Sequence, residues 1–160
     1  RVVRRYMSGQ SFMYLGKNYS LHFIDNQRNK LYLKNGKFLM KSDIDNPRQE
    51  FINFYKKQAK IKIIERYQLY KNLVNKEPRK IEIRDIQNRW GSCTPKNEIY
   101  YHWKCIMAPI NIIDYLIVHE LCHLEHSDHS REFWNKVSSI LPDYERSKNW
   151  LKINGIKMEI

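Results

Sequence analysis

The sequence predicts an α+β domain, and three observations carry that expectation. Short apolar runs broken by turn residues fill positions 12–40, a helix-period stripe runs from Ile52 to Val74, and a nearly all-apolar run, Ile112 to Val118, leads into His119-Glu120-Leu121-Cys122-His123. With 160 residues, 42% of them hydrophobic, the chain can supply one core of useful size, so a single domain over 1–160 is expected. It opens on Arg1 rather than Met, which suggests that upstream residues have been lost. No apolar run approaches the roughly 18 residues of a membrane span, and there is no secretory h-region. The expected location is cytoplasmic, with no membrane partner. Cys93, Cys105 and Cys122 are odd in number and lack CxxC spacing, which fits free thiols.

The elements follow in order. Phe12 to Leu15, Tyr19 to Ile24, Lys30 to Leu33 and Phe38 to Met40 read as short antiparallel strands, with Asn35-Gly36 as a hairpin turn because both residues tolerate positive φ. Asn46 is placed to cap a helix, with Pro47 in its first position and Gln49 closing a capping box. Ile52, Tyr55, Ala59, Ile63, Tyr67, Tyr70 and Val74 then form one buried stripe to about Asn75, before Pro78. Lys80 to Ile86 fits a half-buried strand, Arg89 to Pro95 a turn-rich connection, and Glu98 to Met107 a further strand-like stretch. Pro109 and Asn111 open a second helix that must be buried, because it is apolar nearly all round. A last helix, capped by Ser130, carries Phe133, Trp134, Val137 and Ile140 up to Leu141-Pro142.

The net charge of +12 lies in the first half: residues 1–80 hold 19 Lys/Arg against 6 Asp/Glu, and residues 81–160 hold 10 against 11. Such asymmetry suggests attraction to a polyanion, and DNA contact through the basic N-terminal half is one expectation. Scattered, solvated lysines in an Asn-, Ile- and Tyr-rich chain are the plainer alternative.

His119 and His123 stand four residues apart, one turn on the same helix face, so two imidazoles can share one ion. Glu120 lies about 100° round, within reach of a metal-bound water without being a ligand, as a general base requires. Catalytic zinc needs a third protein ligand and a fourth position left for water. The candidates are Glu125, His126, Asp128 and His129. On an unbroken helix His126 would stand roughly 10 Å along the axis from His119, too far for zinc–nitrogen bonds of about 2.1 Å. His129, just before the Ser130 cap, is placed to turn back and is favoured. Without an ion, two histidines and a carboxylate on such an apolar helix would be costly to bury.

These residues resemble the YgjP-like metallopeptidases, gluzincin-type proteins related to the SprT and Spartan proteases. The likeness rests on Arg89-Trp90-Gly91-Ser92-Cys93, on Pro109 to Leu124, on His129-Ser130 with Phe133-Trp134, and on Leu141-Pro142-Asp143-Tyr144 with Trp150-Leu151. The resemblance implies a zincin-like, minigluzincin fold: a small, mostly antiparallel sheet packed on a long helix and the HExxH helix, with a C-terminal helix. It also implies one catalytic Zn2+ with His129 as third ligand, and protein or peptide substrates. Relatives that act on DNA-attached proteins suit the basic first half.

The expected activity is peptide hydrolysis by a metal-activated water, with Glu120 as general base. The strand from about Glu98 to Trp103 is a candidate to pair with an extended substrate, against an ordinary interior strand. Arg89 is a candidate to stabilise the anionic intermediate or to orient a carboxylate. Trp90 reads as packing, Gly91 as a backbone-permitting turn, Cys93 as a small buried residue rather than an inhibitory thiolate, and Phe133 and Trp134 as core anchors. The competing function is a basic nucleic-acid-associated module whose metal only fixes the fold.

Overall fold

The computed structural model describes residues 6–160; residues 1–5, with three of the first half's arginines, lie outside the described residues. Four strands, β1 (Ser11–Tyr14), β2 (Lys17–Ile24), β3 (Leu31–Lys34) and β4 (Lys37–Lys41), form a first sheet in the order β1-β2-β4-β3. Both hairpins turn on two residues with positive φ, Leu15-Gly16 and Asn35-Gly36, the geometry that matches strand twist. Two of the three pairings are antiparallel, as expected of these strands, but β2 and β4 pair in parallel, with Leu21 beside Phe38 and Phe23 beside Met40. That register puts Leu21, Phe38 and Met40 into the core with Phe12.

The helix α1 (Pro47–Tyr70) packs beneath this sheet. Asn46 caps it by accepting from the Gln49 amide, but the Gln49 side chain donates to Asn53, so the reciprocal half of the expected capping box is not made. Phe51 stacks on Phe12 at 4.1 Å and meets Phe38 edge-on at 5.2 Å. Burying such rings contributes about 1.5–3 kcal/mol each. The helix stops at Tyr70, short of the expected Asn75, because the chain tightens into a 3-10 turn over Lys71–Leu73. Val74 is extended and still buried.

A second sheet holds β5 (Lys80–Arg84), β6 (Gly91–Cys93) and β7 (Glu98–His102) in the order β5-β7-β6. β7 pairs in parallel with β5 and antiparallel with β6, so the Glu98–Trp103 stretch is interior and has no free edge for a substrate. Its strand ends at His102, whose Nδ1 accepts from the Lys104 amide and caps a 3-10 turn over Trp103–Met107. This turn joins the two sheets. Ile106 and Met107 carbonyls accept from Leu15 and Gly16, and a Cβ on Gly16 would meet Pro109 at 2.7 Å.

The helix α2 (Ile110–His123) crosses under the second sheet, buried at every position from Ile112 to Val118. Asp114, the one charge in that run, takes two hydrogen bonds from Arg66 at 2.7 and 2.8 Å and one from Tyr70 at 2.7 Å, which bolts α2 to α1. Tyr101 donates to the Ile117 carbonyl and ties α2 to β7. After α2 come α3 (Arg131–Ile140), capped by Ser130 as expected, and α4 (Tyr144–Asn154), a helix beyond those the sequence predicts. Only Ser147 of α4 is buried, so its apolar periodicity is faint. No helix of the described residues is long and apolar enough to cross a membrane.

Candidate metal centre and active site

The end of α2 presents His119 and His123 on one face, and residues 124–130 fold the chain back so that His129 faces them. The nearest ligand atoms of the three histidines all lie within 4.8 Å of one another. His123 Nδ1 sits 2.9 Å from the His126 carbonyl, which fixes its proton there and turns the Nε2 lone pair inward. That Nε2 lies 3.1 Å from His129 Nε2. Two ligands of a tetrahedral zinc stand about 3.4 Å apart, so the spacing fits an ion shared between the rings. Burial, then neighbouring His119 and His123, pull the His129 pKa below its ordinary value and favour the neutral ring that binds metal.

The other third-ligand candidates are not part of the cluster. His126 contributes its carbonyl to His123, while Glu125 accepts from the Asn75 amide at 2.8 Å and lies 3.7 Å from Lys136. Asp128 is outside the cluster. An aromatic wall from α3 holds the rings in place. Phe133 is fully buried, stacks on His123 at 4.3 Å and meets His119 and His129 edge-on at 5.1 Å, while Trp134 lies parallel to His129 at 5.7 Å. The unanticipated α4 backs Trp134 with Tyr144 and Lys148.

Glu120 is 4% exposed, and its Oε2 lies 3.0 Å from His119 Nδ1. The cleft beside it, about 370 Å³, is lined by Arg89, Gly91, Ser92, Cys93, Ser127 and the histidines. Gly91 is not the turn residue expected: it lies in β6, and a Cβ there would stand 3.0 Å from Glu120 Oε2 and 3.1 Å from its Cγ. Its role is to let an edge strand lie directly on the carboxylate. Arg89 is exposed at the cleft, and Trp90 packs against His102 and Gly155 as expected. Cys93 is half-buried, and burial together with Glu120 pushes its thiol up to about 11, which holds it protonated rather than as a thiolate.

Three imidazoles around one point, beside a buried carboxylate and an open cleft, could hold one metal ion and suit metal-assisted hydrolysis. The sequence profile of the YgjP-like metallopeptidase domain matches residues 1–154, and the chain belongs to that family. Among solved structures, it is similar to the metallopeptidase zymogen of Pyrococcus abyssi abylysin, with 22% identity and a TM-score of 0.51, over 59% of this chain and 93% of that one. That likeness bears on the fold. No curated protein matches the chain.

Proposed function

We propose that the chain is a zinc-dependent peptidase in which His119, His123 and His129 hold the ion and Glu120 is the general base. The observation that carries this reading is the convergence of three imidazoles next to a carboxylate that is not one of the clustered ligands. All-nitrogen donors suit zinc over magnesium or calcium, and a three-ligand set leaves a position for water. A bound zinc ion would lower the pKa of its water to about 7 and polarise the substrate carbonyl.

The chain's own groups supply the rest. Glu120 accepts the proton of the attacking water on its carboxylate and delivers it to the leaving nitrogen. The backbone of β6, at the sheet edge and lining the cleft, takes the place first expected of Glu98–Trp103 as the strand an extended substrate joins. Arg89 supplies positive charge at the mouth of the cleft, for the anionic intermediate or a substrate carboxylate. Glu120→Gln is expected to keep one zinc per chain while lowering peptide hydrolysis about 10²–10⁴-fold. Undiminished cleavage by that variant removes the mechanism.

A structural zinc is less well supported, because structural sites are usually closed by four Cys or His ligands and the cluster among the described residues has three. The charge excess of residues 1–80 supports action on DNA-associated proteins through long-range attraction. DNA binding that weakens linearly in log salt is the expected result, and no binding at low ionic strength takes DNA out of this reading.

A further inference from the structure

Away from the metal cleft, a second groove runs between α1 and β5. Lys56, Lys57, Lys60 and Ile64 line one side, and Ile81, Glu82 and Ile83 the other. Successive strand residues point to opposite faces, so lining by three in a row means that the groove follows the edge of β5 rather than one face. β5 is the outermost strand of its sheet and pairs only with β7. Among the described residues, no backbone hydrogen bond outside that pairing reaches Lys80–Arg84. A row of peptide N–H and C=O groups is therefore left facing the groove, a template for one more strand.

The charges beside that template do not cancel. On the strand, Glu82 is neutralised by Arg84 at 2.9 Å and Lys80 at 3.4 Å, and both cations lie over the Tyr100 ring. On the helix, Lys56, Lys57 and Lys60 are exposed, with no carboxylate in ion-pair reach among the described residues. One turn further on, Ile61 and Ile64 are 54% and 37% exposed. An open strand edge, three uncompensated cations and exposed isoleucines fit an extended polypeptide in which acidic and apolar residues alternate. Nucleic acid fits less well, because a strand edge presents carbonyls as often as amides, and the carbonyls would face phosphates. No aromatic ring among the lining residues offers a base a stacking surface.

We propose that the outer edge of β5 is a docking site for an acidic, extended segment of a partner protein, which adds to the second sheet as a fourth strand with its carboxylates on Lys56, Lys57 and Lys60. The reading does not depend on the metal chemistry. The test uses the full chain, zinc-loaded and carrying Glu120→Gln so that the probe is not cut, and a fluorescein-labelled decapeptide of alternating Glu and Val. Anisotropy should show saturable binding that weakens with salt and falls about tenfold or more in the Lys56→Glu, Lys57→Glu, Lys60→Glu triple variant. The Lys→Gln triple variant, with no reversed charge to perturb folding, should show a smaller loss of the same sign. A fully N-methylated probe keeps its charges but lacks strand-pairing donors, and should not bind. Equal binding of the N-methylated probe, unchanged binding by both triple variants, or stronger binding of a single-stranded oligothymidylate at the same lysines would overturn the proposal.

Discussion

Around Glu120 the chain leaves almost no spare room, because the backbone of β6 lies on the carboxylate where any other residue at position 91 would place a Cβ. An added methyl at 3.0 Å must move either the strand or the carboxylate, and a displacement near 1 Å at a reacting group can cost about 10²-fold in rate. Gly91→Ala is thus expected to lower kcat by about two orders of magnitude while zinc content stays at one per chain. A variant with unaltered kcat would show that the contact is slack. The pair His119 and His123 was legible in the sequence because four residues make one helical turn whatever the tertiary context. The inward placing of His129 was legible by reach. The purpose of Gly91 was not, because its neighbour is 29 positions away and the contact exists only once β6 and α2 have packed.

Among the elements, α1 and α2 carry the load of positioning, and Asp114 is their shared pin. Removing one partner of a buried ion pair strands the other, at roughly 3–5 kcal/mol. Arg66 keeps 23% of its side chain in contact with solvent, which screens part of that loss. Asp114→Ala should therefore cost about 2–4 kcal/mol in denaturant unfolding, and a change below about 0.5 kcal/mol would relegate the pair to decoration. At the end of β7, burial lowers the His102 pKa despite Asp85 at 3.2 Å. A folded-state value below the unfolded 6.5 means that the unfolded chain binds more protons, so this contribution is full above pH 6.5 and is lost as pH falls through the folded value. Melting temperatures of wild type and His102→Gln should converge as pH drops from 7.5 towards 5, and parallel curves would refute the assignment. Element boundaries were less readable than element types. The α2 run announces itself by being apolar on all sides, whereas α4 buries one serine and half-buries Tyr144, Trp150 and Leu151, too little to leave a periodic mark. Parallel pairing of β2 with β4 depends on which strand is inserted between which, and alternation within a strand carries no information on that.

For the molecule as a whole, the three histidines bring two separate pieces of chain to one point. His119 and His123 belong to α2, but His129 lies in the returning segment 124–130, held otherwise by its own turn bonds, by Glu125 with Asn75 and Lys136, and by the packing of Leu124 and Phe133. An ion shared by all three would act as a cross-link present only in the folded state. A ligand that binds only that state, at a thousand times its Kd, adds about 4.1 kcal/mol of stability. In a chain of this length each kcal/mol is worth about 2–4 °C in melting temperature. Chelation is thus expected to lower Tm by roughly 8–16 °C, and readdition of one equivalent of zinc to restore it. His129→Ala should melt near the chelated wild type and respond little to chelator, because two histidines four apart on one helix bind too weakly to hold the increment. Metal content falling from one to zero with no movement in Tm would mean that the three rings are already locked by the aromatic wall of Phe133 and Trp134, and that the ion serves chemistry alone.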